Sequence, residues 1–142
     1  MVADFAGPRP PGSGSCCGSS HGVSILDYIE RGLVRNRSEP LPVIGDVLRD
    51  SHGRMAQFSV QLDDGVIESV SFKASFCVTL IAYCELLAEW ATGATLRRAA
   101  GIRPADLAVA LTCVPPDKRD CAMLAKAALS SAIQTTLEGG ST

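Results

Sequence analysis

The residue types in this chain best suited to hold a soft metal are its thiols, and two of the six cysteines stand where a helix should begin. In Cys113-Val114-Pro115-Pro116-Asp117-Lys118-Arg119-Asp120-Cys121 the two prolines end one segment, and Pro116 with Asp117 is helix-start chemistry. Behind them Cys121, Leu124, Ala125, Ala128, Leu129 and Ala132 recur at the three-and-four spacing of one helical face. Asp120 and Cys121 therefore belong to a first turn, where free backbone N–H groups and the helix dipole favour a thiolate. Cys77 has the same address, at the junction of an extended run and a second amphipathic stripe. Two thiolates and a carboxylate at helix starts are the beginnings of a zinc or iron site, because soft sulfur binds these metals and a carboxylate can complete the shell. The competing reading is that each cysteine is a small buried apolar residue. Cys113 is placed to act as a substitute ligand, Cys84 should point into the core, and the adjacent Cys16 and Cys17 suit a bystander role.

These groups need elements to position them. Residues 1–21, rich in Gly, Pro and Ser, form an expected flexible tail; residues 22–137 form the domain, and 138–142 a flexible end. Val23, Ile25, Leu26, Ile29 and Leu33 predict a short helix, with Ser24 and Asp27 as its capping pair. Residues 36–42 read as a loop. Three extended runs follow, 43–49, 55–62 and 66–76, separated by Asp50-Ser51-His52-Gly53 and Asp63-Asp64-Gly65, which have hairpin-turn chemistry. In the second and third runs, apolar residues alternate with polar ones, predicting one buried and one wet face. The stripe from Cys77 to Trp90 supplies a covering helix, Thr92-Gly93 ends it, and 95–100 and 104–111 make two brief helices. The expected fold is α+β, a three-stranded antiparallel sheet packed by helices on one face.

Composition narrows the function. A 46% hydrophobic, 20% charged chain of 142 residues can build about one domain, and with 5% aromatics its core must be mainly aliphatic. A net charge of -2 argues against nucleic acid; the clusters Arg31, Arg35, Arg37 and Arg97, Arg98 read as solvated faces. No apolar run reaches the ~18 residues of a membrane span and no secretory signal is evident, so reduced thiols and a cytoplasmic location are expected. His21 falls in the tail and His52 in a turn, neither placed to activate a cysteine, and no dinucleotide fingerprint follows a strand. The expectation is a binding protein rather than an enzyme.

Four segments in order, Gly45-Asp46-Val47, residues 70–77, Glu89-Trp90-Ala91-Thr92-Gly93 and residues 114–125, resemble the NifU/IscU-type iron-sulfur cluster assembly scaffolds across about residues 23–135. The resemblance implies a SufE/NifU-like sandwich that takes sulfur from a cysteine desulfurase, assembles a [2Fe-2S] cluster on three cysteines and a nearby histidine or aspartate, and passes it to acceptor apo-proteins. Carried over by position, Cys77 and Cys121 match the second and third cysteines. Asp120 stands where the family often has histidine, Asp46 matches an aspartate near the cluster, and Lys118 matches a lysine near it. The first cysteine is replaced by Ile44, which has no lone pair. A cluster or iron held on Cys77, Cys121, Asp120 and Asp46 is the implied cargo, and zinc, which tolerates mixed Cys and Asp ligation, the alternative. The alternative role is a zinc-binding or metal-free partner module of the desulfurase. Val114-Pro115-Pro116-Asp117-Lys118 resembles the segment by which such scaffolds engage an Hsp70-type chaperone, with Asp117 where an apolar residue is expected. A homodimer supplying two cysteines per subunit is one way to complete the ligand set.

Overall fold

Two left-handed residues fix the centre of the sheet. Asp64 (φ 58°) and Gly65 (φ 82°) form a two-residue turn with positive φ at both positions, the geometry that matches the twist of an antiparallel pair. The computed structural model describes residues 25–75, 77–111, 114, 118 and 120–140, and in it this turn joins β3 (Met55–Asp63) to β4 (Val66–Ala74). Their register runs from Asp63↔Val66 to Ala56↔Ala74, with one extra residue on β4 around Glu68.

The extended run at 43–49 is not one strand. It forms β1 (Val43–Ile44) and β2 (Leu48–Arg49), both antiparallel to β3 along the edge opposite β4. Ile44 pairs with Ser59 and Leu48 with Ala56, so the first strand carries one residue more than its partner between them. The bulge falls on residues 45–47, where α5 presses closest: a Cβ on Gly45 would lie 2.5 Å from the Ala132 backbone nitrogen.

The helices are α1 (Ile25–Asn36), α2 (Val78–Ala91), α3 (Leu96–Ala100), α4 (Pro104–Ala110) and α5 (Asp120–Gly140). α5 lies along β3, α2 along β4, and α1 packs on α2. Phe58 and Phe72 meet across the hairpin at 5.6 Å between ring centroids and are buried with Val60, Val70, Leu80, Leu87, Leu124 and Leu129. The architecture is the expected antiparallel sheet with helices on one face, its first strand split in two.

Two expectations are changed by packing. Ser59 and Ser71, assigned to the wet face, are buried, because the segment after α1 folds over them: Leu41 N–H donates to Ser59 Oγ (2.9 Å), and the hydroxyls of Ser38 and Ser71 are 2.8 Å apart. Arg35 is not on a solvated face. Its Nε and Nη2 bind the carboxylate of Glu85 at 2.6 and 3.2 Å, and its Nη1 donates to Val70 O at 2.6 Å. Glu85 is 2% exposed, so the guanidinium neutralises a charge inside the α1–α2 interface. The predicted tail, Ser24 of the capping pair, Phe76, Cys113 and residues 115–117 lie outside the described residues.

Candidate metal centre

The turn between β2 and β3 builds one side of the site. Asp50 Oδ1 accepts from the backbone N–H groups of His52 (2.9 Å) and Arg54 (3.0 Å), and Gly53, at φ 83°, reverses the chain. The second carboxylate oxygen holds Arg54 Nε at 2.7 Å. These hydrogen bonds outweigh the opposing effect of burial and keep the Asp50 carboxyl below its usual pKa. One aspartate thus shapes the turn and orients the arginine side chain that leaves it.

Two helix starts build the other side. Cys77 is the extended residue just before α2 (φ -140°, ψ 111°) and its carbonyl accepts from Ile81 N–H at 2.9 Å. Asp120 and Cys121 open α5, with Cys121 fully buried. Their approach to the turn is a matter of register. Past Ala56 opposite Ala74 in the antiparallel hairpin, Ser75 N–H donates to Met55 O at 3.0 Å and Cys77 N–H to Ser75 O at 2.7 Å, which brings Cys77 to the start of β3 beside Arg54.

Arg54 sits at the centre. Its Nη1 donates to Cys121 Sγ at 3.0 Å, and its Nη2 lies 2.9 Å from Asp120 Oδ2 and 3.1 Å from His52 Nδ1. Burial works against its charge, but the hydrogen bonds and charges of Asp50, Cys121 and Asp120 prevail and raise its pKa. His52 Nδ1 is 3.6 Å from Asp120 Oδ2, and ligand atoms of Asp50, His52 and Asp120 all fall within 4.8 Å of one another. The Cys121 thiol is pushed up to about 12, chiefly by burial, then by the neighbouring Cys77; Arg54 pulls the other way. The Cys84 thiol, sealed inside α2, is also held well above its usual range by burial.

Of the residues the sequence nominated, the fold brings Cys77, Asp120 and Cys121 together. It does not bring Asp46 to them. The Asp46 N–H donates to Ser131 Oγ at 2.8 Å, ten residues along α5 from Cys121, or about 15 Å at the helical rise. Ile44 pairs with Ser59, well along β3 from the site. Lys118 lies half-buried two residues ahead of α5. His52, Asp50 and Arg54 were not nominated. Their signal was the Asp64-Gly65 turn, which fixes the register and so carries the start of β3 to the start of α2.

The donor set suits a metal. An imidazole nitrogen and carboxylate oxygens of His52, Asp50 and Asp120 converge within 4.8 Å of one another, the Cys121 thiol adjoins them through Arg54 with Cys77 beside it, and Asp120 Oδ1 is buried with no hydrogen-bond partner among the described residues. A buried carboxylate oxygen without a donor is a costly arrangement that a cation would relieve.

Comparison with known proteins points the same way. The scaffold protein IscU of Haemophilus influenzae, an iron-sulfur cluster assembly protein, is 36% identical over 93 residues, 65% of this chain and 67% of that one. The mitochondrial iron sulfur cluster assembly protein 1 of Kluyveromyces lactis is 38% identical over 93 residues, so that the match spans 66% of this chain and about half (48%) of that protein. A proposed iron-sulfur cluster assembly scaffold protein for the SUF system from Fervidobacterium islandicum superposes with a TM-score of 0.60, covering 77% of this chain and 93% of that one. At 16% identity, that likeness concerns the fold alone. With the model of the NifU-like N terminal domain matching residues 30–138, the chain belongs to the NifU-like N-terminal domain family.

Proposed function

We propose that the chain is a scaffold or carrier for iron-sulfur cluster assembly, with iron and sulfide, or a [2Fe-2S] cluster, as its cargo. The observation that carries this reading is the convergence of Cys77, Cys121, Asp120 and His52 from three separated elements onto one end of the domain. In it, the place of the first thiol falls to His52, which precedes Gly53 and faces the other donors, whereas Ile44 and Asp46 lie along the sheet edge. Two thiolates and an imidazole can ligate iron, as the replacement of cysteine by histidine in some [2Fe-2S] centres shows. The role is binding and hand-over, not catalysis. A cysteine desulfurase as sulfur donor and apo-proteins as acceptors are the partners this role requires. An Hsp70-type chaperone at residues 114–118 and a homodimer belong to the same reading. Among the described residues, no helix is long and apolar enough to cross a membrane; a cytoplasmic location is part of the same proposal.

A second reading is zinc. A set of two sulfurs, one nitrogen and one oxygen is a tetrahedral zinc shell without any further ligand, and a zinc-loaded module would serve as partner to a desulfurase. Anaerobic reconstitution with iron and sulfide decides between them. A visible cluster absorption band is expected in the natural chain, lost in Cys77→Ser and Cys121→Ser, weakened in His52→Ala and unchanged in Asp46→Ala. Stoichiometric zinc retention that needs the same cysteines, with no cluster band, would select the second reading. A band indifferent to both cysteines would remove the site altogether.

A further inference from the structure

Resting on that donor set, we infer that Arg54 is a built-in counter-cation, filling the centre when it is unloaded and withdrawing when a metal ion enters. A guanidinium can only donate hydrogen bonds, so each contact occupies a lone pair on its partner. His52 Nδ1 has a single lone pair, and with Nη2 at 3.1 Å that lone pair is engaged by Arg54. A metal ion on the same lone pair, about 2.1 Å from Nδ1, would lie about 1 Å from the position of Nη2. The two cannot coexist. The same Nη2 engages Asp120 Oδ2 at 2.9 Å, and Nη1 engages Cys121 Sγ at 3.0 Å, so three donors of the proposed centre hold the arginine at once.

The surroundings allow an exchange. The Arg54 side chain is 11% exposed, but His52 beside it is 64% and Asp120 41% exposed, so the guanidinium has a way out to solvent. The turn does not depend on the guanidinium, because Asp50 Oδ1 is held by the backbone N–H groups of residues 52 and 54. Withdrawal would also remove a positive charge as another arrives. A cation that thiolates bind strongly, such as zinc or ferrous iron, can displace the arginine; a hard cation such as magnesium gains little from sulfur and should not.

The test is zinc titration of the metal-free full chain under anaerobic conditions, in competition with a chromophoric chelator. Arg54→Gln should tighten zinc binding by about tenfold or more, the equivalent of one lost charge-assisted hydrogen bond. It should also lower the melting temperature of the metal-free protein and enlarge the rise that zinc produces. Arg54→Lys keeps the charge without the fork and should fall between, which supplies the answer if the glutamine variant does not fold. If the folded variants bind zinc no more tightly than the natural chain, Arg54 supports the bound metal from outside and the counter-cation is refuted, while zinc binding that requires Cys77 and Cys121 leaves the donor set intact. If neither the natural chain nor any Arg54 variant takes up zinc, the donor set itself is wrong and the inference falls with it.

Discussion

The chemistry of the site begins with a thiol that is hard to ionise. Cys121 is fully buried beside Cys77, which raises its pKa to about 12 despite the nearby guanidinium of Arg54. A metal must therefore compete with protons, and because each thiol ligand releases one on binding, affinity should increase with pH. Between pH 6 and 8 the zinc dissociation constant should fall by about tenfold per pH unit for each thiol proton released, a dependence that parallel titrations at three pH values would reveal. A pH-independent affinity would mean that the thiols are not ligands. The metal-free protein has the opposite dependence. With the folded pKa raised, stability is fully present below the unfolded value of 9 and lost as pH rises toward 12, so unfolding midpoints should drop across that alkaline window. Cys77, Asp120 and Cys121 were legible in the sequence because helix starts are locally encoded. His52 and Arg54 were not, since an Asp-Ser-His-Gly turn looks the same wherever it lies and the partners of Arg54 outside it, Asp120 and Cys121, are 66 and 67 residues away in sequence.

At the scale of elements, α2 is the part most constrained by its neighbours. Nearly all of its residues are buried, Glu85 included, so the amphipathic stripe from Cys77 to Trp90 understated how completely α1, α5 and the sheet enclose it. The first strand shows a related limit: its residues read as one extended run, and the approach of α5 to Gly45 divides it. Arg35, which the sequence offered as one of three surface basics, is the residue that makes burial of Glu85 tolerable by binding both carboxylate oxygens and the Val70 carbonyl. Breaking such a pair from one side leaves a buried charge unmatched, so Arg35→Ala should destabilise the fold by about 3 kcal/mol or more. Replacing both partners, as in Arg35→Met with Glu85→Leu, should recover most of that loss, since the isolated charge is removed along with its counter-ion. Denaturant unfolding of the three proteins measures the difference. A loss below about 1 kcal/mol in Arg35→Ala would show that water reaches Glu85 and that the α1–α2 contact is looser than the geometry implies.

Across the whole molecule, the donors are distant in sequence and converge because three elements end together: the β2–β3 turn at His52, the start of α2 at Cys77 and the start of α5 at Asp120 and Cys121. A metal held there joins the turn to both helices, closing loops of tens of residues, and it binds the folded chain far better than the unfolded one. Saturation should therefore raise global stability: at a free metal concentration one hundred times the dissociation constant the gain is about 2.7 kcal/mol. For a domain of this size that corresponds to a rise of about 8 to 11 °C in melting temperature, at roughly 3 to 4 °C per kcal/mol. A chelator should reverse it. Substituting serine at Cys77, which lies at the edge of the core, should abolish the metal-dependent rise in a folded protein, whereas Cys121 belongs to the core and its replacement by serine should also lower the melting temperature of the metal-free chain. Calorimetry with and without zinc on both proteins separates the outcomes. A rise that survives loss of both cysteines would place the stabilising metal elsewhere, and no rise at saturating zinc would show that the folded chain binds the metal no better than the unfolded one.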